Sequence, residues 1–478
     1  MLSLALGLAL GLVPRAALAS STPVPSPLSS AGPQESAPQE DAEGEVLWIH
    51  AQRLIVRPGE ELSNAALLVR DGRIIAVGSD VVAPEGAREI TGEVACAGFI
   101  DPWSVFGLEP EAAGDERTNA ATRSVDGIDP YLDPRLRQQL VEAGITAYRL
   151  QAGTRARLGG VGACVRPHPG LPPDEAVLLE NCCVAASVGI TRGERGQDVF
   201  DRLAELDRLL GALSDAQSYL QDQIEYRYEL EEWQKAITAK EKELEEGFKK
   251  AQKDREKEQQ EAKEKDKEFK EKKYKEDRRP KPPRYDAEKE VLARCVSGEL
   301  PLVVEVHRVA ELRGLLEGTQ SFGRLRLVIA GATEALAVAE DLAERRIPVI
   351  VWPAPQGRLL LNGSARPLEY SEADPALASR LEEAGVEVLL GSGGAFPSGT
   401  RELPLLAALA VGYGLDREAA LAALTTRPAR VLDVADRIGS LERGKQADVL
   451  VLSGDPLATT TRVLYVVCAG DIVVERKE

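Results

Sequence analysis

The sequence predicts an α/β protein. The expected parts are a (β/α)8 TIM-like barrel, a small β-sandwich domain formed from both chain ends, and a long charged helical insertion. Three observations carry this. Strand-forming alternation occurs near the start, at Val46 to Val56 and Ala65 to Val77, and returns near the end at Ala447 to Leu452, Val463 to Val467 and Ile472 to Val474. Between these ends, apolar runs alternate with helical patterns, as successive βα units do. One internal stretch, from about Ser214 to Asp286, is instead dominated by Glu and Lys. The predicted divisions are 1–19 for a signal peptide, 20–43 for a tether, 44–93 with 437–478 for the β-domain, 94–436 for the barrel, and 214–286 for the insertion within it.

Taken in order, Leu2 to Val13 form an apolar run followed by Arg15 and Ala17-Leu18-Ala19. This reads as a signal peptide (1–19) cleaved after Ala19, which makes the mature protein exported, periplasmic or extracellular. The run is too short to span a bilayer, so no transmembrane span is expected after cleavage. No Lys or Arg precedes it, and an uncleaved anchor is the alternative. Ser20 to Glu43, rich in Pro, Ser, Ala and Gln, reads as a disordered tether. The β-domain then begins, with a turn at Asp71-Gly72.

The eight candidate barrel strands are Val94 to Trp103, Gly144 to Leu150, Gly160 to Arg166, Ala185 to Ile190, Leu302 to Val306, Leu325 to Ala330, Ile347 to Trp352 and Val386 to Gly391. A doubly wound sheet is the competing architecture, but no glycine-rich dinucleotide loop follows the first strand. Helices are clearest at Asp416 to Thr425 and Arg427 to Val434. In the insertion, Leu220, Ile224, Trp233, Ile237, Leu244, Phe248 and Ala251 recur at helical spacings. From Gln252 to Arg279 that stripe nearly vanishes into Glu and Lys blocks, which Arg279-Pro280-Lys281-Pro282-Pro283 ends. This arm is either a solvated helix without a partner or a partner-binding coiled-coil-like element.

The 478 residues leave room for two or three domains, and with 44% hydrophobic but 4% aromatic residues the core must rest on Leu, Val, Ile and Ala. The formal net charge of −18 argues against nucleic-acid binding. The six cysteines (Cys96, Cys164, Cys182, Cys183, Cys295, Cys468) form no CxxC and read as buried thiols. Only three histidines occur, His50, His168 and His307.

Several motifs resemble those of the amidohydrolase superfamily, closest to its imidazolonepropionase-like, exported metal-dependent hydrolase branch. Gly98-Phe99-Ile100-Asp101-Pro102-Trp103-Ser104-Val105-Phe106-Gly107-Leu108 resembles the first barrel strand, GFIDxHxHxGL. Thr425 to Leu432 resembles the TxNPAxxLG helix, and Ile438 to Leu452 is similar to GSLExGKxADLVVL, a specific motif. Leu302 to Arg308 resembles the fifth strand, Leu327 to Ala335 the sixth, and Leu389 to Pro397 the last.

The resemblance implies metal-dependent hydrolysis of non-peptide C–N bonds, with imidazoles and a carboxylate holding the ion. At the corresponding positions stand Trp103, Val105, Gly331 and Gly393, none with a donor side chain. His50 falls in the β-domain and His168 between two prolines, leaving His307 at the expected mouth. No confident catalytic residue emerges. The expectation is a pseudoenzyme, a non-catalytic homologue without a cofactor. It would act by association with an active relative or envelope protein through the 214–286 arm. The alternative is an active C–N hydrolase with a divalent metal at an atypical site of Asp101, Glu305, His307 and Glu334. A small-molecule binder using the old pocket is a third class. Trp103 either plugs the barrel mouth or lines a surviving pocket.

Overall fold

The computed structural model describes residues 46–108, 118–153, 156–189, 199–261, 278–353, 374–393 and 397–476. The expected signal peptide and tether, Ile190, and residues 262–277 of the arm lie outside the described residues.

Seven strands form one sheet from both chain ends: β1 (Leu47–Arg57), β2 (Glu60–Arg70), β3 (Arg73–Gly78), β4 (Arg88–Ala97), β13 (Val449–Leu452), β14 (Val463–Cys468) and β15 (Asp471–Glu475). Their order is β15-β14-β13-β4-β1-β2-β3. The two ends meet where β4 pairs antiparallel with β13, Ala97 opposite Val449 and Val94 opposite Leu452. The Asp71-Gly72 turn takes positive φ at both residues, as a tight hairpin requires. It packs backbone to backbone on the turn at Gly470, where a Cβ would lie 2.3 Å from the Gly72 Cα. Inside this sheet sit Ile49, Leu54, Leu67, Ile74, Ile90, Leu441, Val449 and Val451, all essentially buried.

The second sheet is a nearly closed barrel of eight strands: β5 (Phe99–Ser104), β6 (Ile145–Leu150), β7 (Leu158–Val165), β8 (Val177–Ser187), β9 (Leu302–Val306), β10 (Leu327–Gly331), β11 (Val349–Val351) and β12 (Val388–Leu390). The eight apolar runs of the sequence correspond to these eight strands in order, with two corrections. Val94 to Trp103 is not one strand. β4 runs to Ala97, past the boundary expected at 93/94, and the chain crosses between sheets at Gly98, where a Cβ would lie 2.1 Å from Thr146 Oγ1. The barrel is also not fully parallel, because β7 runs antiparallel to both β6 and β8. The links on either side of β7 contain no helix, and a parallel pair needs a longer crossover.

The arm starts earlier than Ser214. A single helix spans Val199–Glu261, and its root buries Leu206, Leu209, Leu213, Ala216 and Tyr219 against the barrel, residues spaced three or four apart. Arg202 at the root pairs with the buried Glu311 at 2.7 Å. From Gln221 to Glu243 no side chain is fully buried, and Tyr226, Leu230, Trp233 and Ile237 form a half-buried stripe. The chain returns beside the root, where Tyr219 donates to Glu290 and Lys289 lies 3.6 Å from Asp215. The expected helices at 416–425 and 427–434 are found as Arg417–Leu424, capped by Asp416, and Thr426–Val431.

Candidate functional site

Alternation along the barrel strands decides which side chains enter its interior. Ile100 and Trp103, Ala147, Cys164, Cys183, Val303, Val328 and Ala330, Ile350 and Trp352, and Leu389 pack together as one interior cluster. Two residues beyond Val303 comes Glu305, and two further His307, on the same face of the chain. Their side chains touch, Glu305 Oε1 lying 3.5 Å from His307 Nε2, while His307 Nδ1 and Thr333 Oγ1 are 2.8 Å apart.

The indoles of Trp103 and Trp352 fill the upper interior, with ring centroids 5.8 Å apart. Trp352 also meets the His307 ring edge-on at 5.7 Å. Trp103 is 2% exposed, and the guanidinium of Arg149 stacks on it at 4.6 Å. Trp103 is thus packed within the barrel interior, its indole covered by Trp352 and Arg149.

The other expected site residues are distributed as follows. Asp101 is fully buried where the first and last strands meet. Its Oδ1 accepts hydrogen bonds from the Trp103 and Ser392 amides at 3.0 and 3.1 Å. The Ser392 hydroxyl donates to the Trp103 carbonyl. Burial outweighs these bonds and pushes the Asp101 carboxyl up to about 6. Val105 packs in the main apolar core with Phe106 and Leu108, a different cluster from Trp103. Gly331 has φ +81°, and a Cβ there would lie 2.4 Å from His307 Cε1 and 2.9 Å from Trp352 Cζ2. Gly393, also at positive φ, faces the same indole, with Trp352 Cγ 3.0 Å from a Cβ position. Glu334 is occupied elsewhere: its carboxylate accepts from the Val309 amide at 2.7 Å, at the start of the helix Val309–Gly318.

Glu305 and His307 are therefore neighbours, whereas Asp101 is tied to the β5/β12 seam and Glu334 to a helix terminus. Among the described residues, no group of three or more His, Cys, Asp and Glu side chains is arranged to hold a metal ion. The interior residue that sequence reasoning missed is Arg149. Its signal was present, because Ala147, Arg149 and Gln151 share one face of a strand whose neighbours are apolar.

Comparison with known proteins fits this architecture. Residues 387–474 match a model of the amidohydrolase family. A segment of 85 residues is 42% identical to imidazolonepropionase of Porphyromonas gingivalis, covering 17% of this chain and 19% of that one. The chain thus matches only about a fifth of the length of that curated relative. Among solved structures, an amidohydrolase from Thermotoga maritima MSB8 superposes with a TM-score of 0.66 at 21% identity, over 90% of this chain and all of that one. The A. niger ochratoxinase gives 0.50 at 17% identity, over 90% and 96%. The family match covers Gly393 but none of Asp101, Trp103, Glu305, His307 or Gly331. The carboxy-terminal residues 387–474 thus carry the sequence likeness to the amidohydrolase family, and the two-sheet fold is shared with solved amidohydrolases.

Proposed function

We propose that this protein is a non-catalytic amidohydrolase homologue that acts by association rather than hydrolysis. The observation that carries the reading is at Gly331, where His307 and Trp352 fill the space that a ligating side chain would need. A water-activating divalent ion needs several lone-pair donors converging on one open point. Trp103, Val105, Gly331 and Gly393 supply none, and the Trp103 and Trp352 indoles pack together with Trp352 directly against Gly331 and Gly393. The residues present do not fit the metal that the family's chemistry uses, which leaves the barrel interior without a means of activating water.

The rival reading is an active C–N hydrolase with a reduced metal site, and contact between Glu305 and His307 favours it. Weighing against it are Glu334, engaged at a helix start, and Asp101, held by two backbone amides. We further propose that the partner-binding element is the arm within 214–286, in an exported location. The partner is an active relative or an envelope protein. Support comes from a continuous helix that leaves the barrel after Tyr219 and carries a half-buried apolar stripe.

The decisive experiment is elemental analysis of protein purified after expression with zinc, manganese and iron, beside hydrolysis assays on amides, lactams and dipeptides. Substoichiometric metal and no turnover are expected. One tightly bound ion per chain, lost together with turnover in Glu305→Gln/His307→Ala, would establish the rival.

A further inference from the structure

Arg149 is fully buried inside the barrel. One terminal nitrogen donates to Gln151 Oε1 at 2.7 Å and the other reaches the Pro102 carbonyl at 3.4 Å. Its flat face rests on the Trp103 indole. All three neighbours are neutral, and among the described residues no carboxylate pairs with it. A buried guanidinium without a counter-charge is strongly disfavoured, because the ion has given up its hydration without a compensating partner. A neighbouring anion would stabilise it.

The group in place is the thiol of Cys183, on β8 across the intervening strand β7. Gly162 on β7 is paired in register with Cys183. A Cβ on Gly162 would lie 3.2 Å from Arg149 Nε and 3.2 Å from Cys183 Sγ. The glycine thus leaves open the gap across which the two groups face each other. Cys182 Sγ lies 3.6 Å from Cys183 Sγ and supplies a hydrogen-bond donor. We infer that Arg149 and Cys183 form a guanidinium–thiolate ion pair sealed inside the barrel, so that the chain carries its own fixed cation and a soft anionic sulfur there.

The electrostatics agree. Burial pushes the Cys183 thiol up, but the hydrogen bond with Cys182 and the Arg149 guanidinium outweigh it and bring it down to about 7. The other ionisable groups facing Cys183 are Cys182 on its own strand, Cys164 on β7 and Cys295 on the helix Ala287–Val296. Burial pushes all three of these thiols up, which keeps them neutral. Cys96 and Cys468 are likewise pushed up by burial.

The inference does not depend on whether the protein hydrolyses anything. Its test is a pH titration of the native, full-length chain followed by ultraviolet thiolate absorbance, with urea-unfolded protein as the scale for all six thiols. One thiolate per folded chain is expected to appear near neutral pH, absent in Cys183→Ser. It should move to or above the ordinary thiol value of about 8.5 in Arg149→Met. If folded wild-type protein shows no thiolate before that value, or if the band survives in Cys183→Ser, the pair does not exist. The wild-type titration decides the matter even if Arg149→Met fails to fold. A negative titration would leave the metal and turnover assays unaffected.

Discussion

Replacing Trp103 with alanine removes the largest fully buried side chain of the barrel interior. Truncating a buried tryptophan costs about 3–5 kcal/mol through lost transfer energy and the cavity left behind. The stack under Arg149 adds about 0.5–2 kcal/mol, because a desolvated guanidinium loses its aromatic face. The contact with Trp352 overlaps with the burial already counted, so the parts are not summed independently. A loss of about 4–6 kcal/mol follows, comparable with the whole stability of a domain near the lower end of about 5–15 kcal/mol. The assay is urea unfolding followed by far-ultraviolet circular dichroism, which does not depend on the deleted indole. Trp103→Phe, which keeps a ring over Arg149, should lose less than half as much. An alanine variant that loses under about 1 kcal/mol with an unchanged denaturant slope would refute the plug, because a ring that costs so little to remove faces solvent or a ligand.

Restoring donors at the family's positions, W103H/V105H/G331H/G393D, should not restore a metal centre. Gly331→His alone should destabilise by about 2 kcal/mol or more, from strain at positive φ and collision with His307; stoichiometric zinc in the quadruple variant, by elemental analysis, would overturn this. Arg202→Met leaves Glu311, 1% exposed, as a buried charge without its partner. It should cost about 3–5 kcal/mol in urea unfolding and speed proteolysis at the arm's root. The Asp101 carboxyl, raised to about 6 when folded, binds its proton more tightly in the native than in the unfolded chain. Its contribution is therefore present below about pH 4 and lost as pH rises through about 6, a change of about 3 kcal/mol. Asp101→Asn should flatten stability over that window, and an unchanged slope would exclude Asp101 as its source. Excising 223–282 and joining the ends with a short Gly-Ser linker should leave the thermal midpoint within a few degrees of the parent, since residues 215–222 already lie beside 283–289. Any co-purifying partner should be lost with it; its retention would sink the arm proposal.

Much of this architecture was legible in the residues. Apolar runs marked the barrel strands, because a core built of Val, Ile and Leu leaves few other such runs, although only the end of β8 (Val177–Ser187) was caught by the run from Ala185. Gly98 shows where that signal fails. Val94 to Trp103 reads as one continuous strand, and only the close approach of Thr146 reveals the turn between sheets. The reversed direction of β7 was hidden for a related reason, since alternation is blind to strand polarity and only the missing helices on either side imply it. At the site, the absence of histidines at 103, 105 and 331 was readable letter by letter. What fills the space was not, because Arg149 and Trp352 come from strands remote in sequence and meet Trp103 only when the barrel closes. Glu334 could not be separated from Glu305 by sequence either, since one lies near the end of β9 and the other just beyond β10, and a helix start claims just one of them.

The seam between β4 and β13 has a consequence for biogenesis. Val94 to Ala97 waits, during synthesis, for partners about 350 residues downstream, a span whose closure entropy is large but grows only logarithmically. Until Val449–Leu452 leaves the ribosome, β4 presents a bare edge beside a finished hairpin, a surface prone to mispairing. Nonsense or frameshift lesions at or shortly before the Val449–Leu452 codons should therefore yield insoluble chains rather than slightly shortened soluble ones.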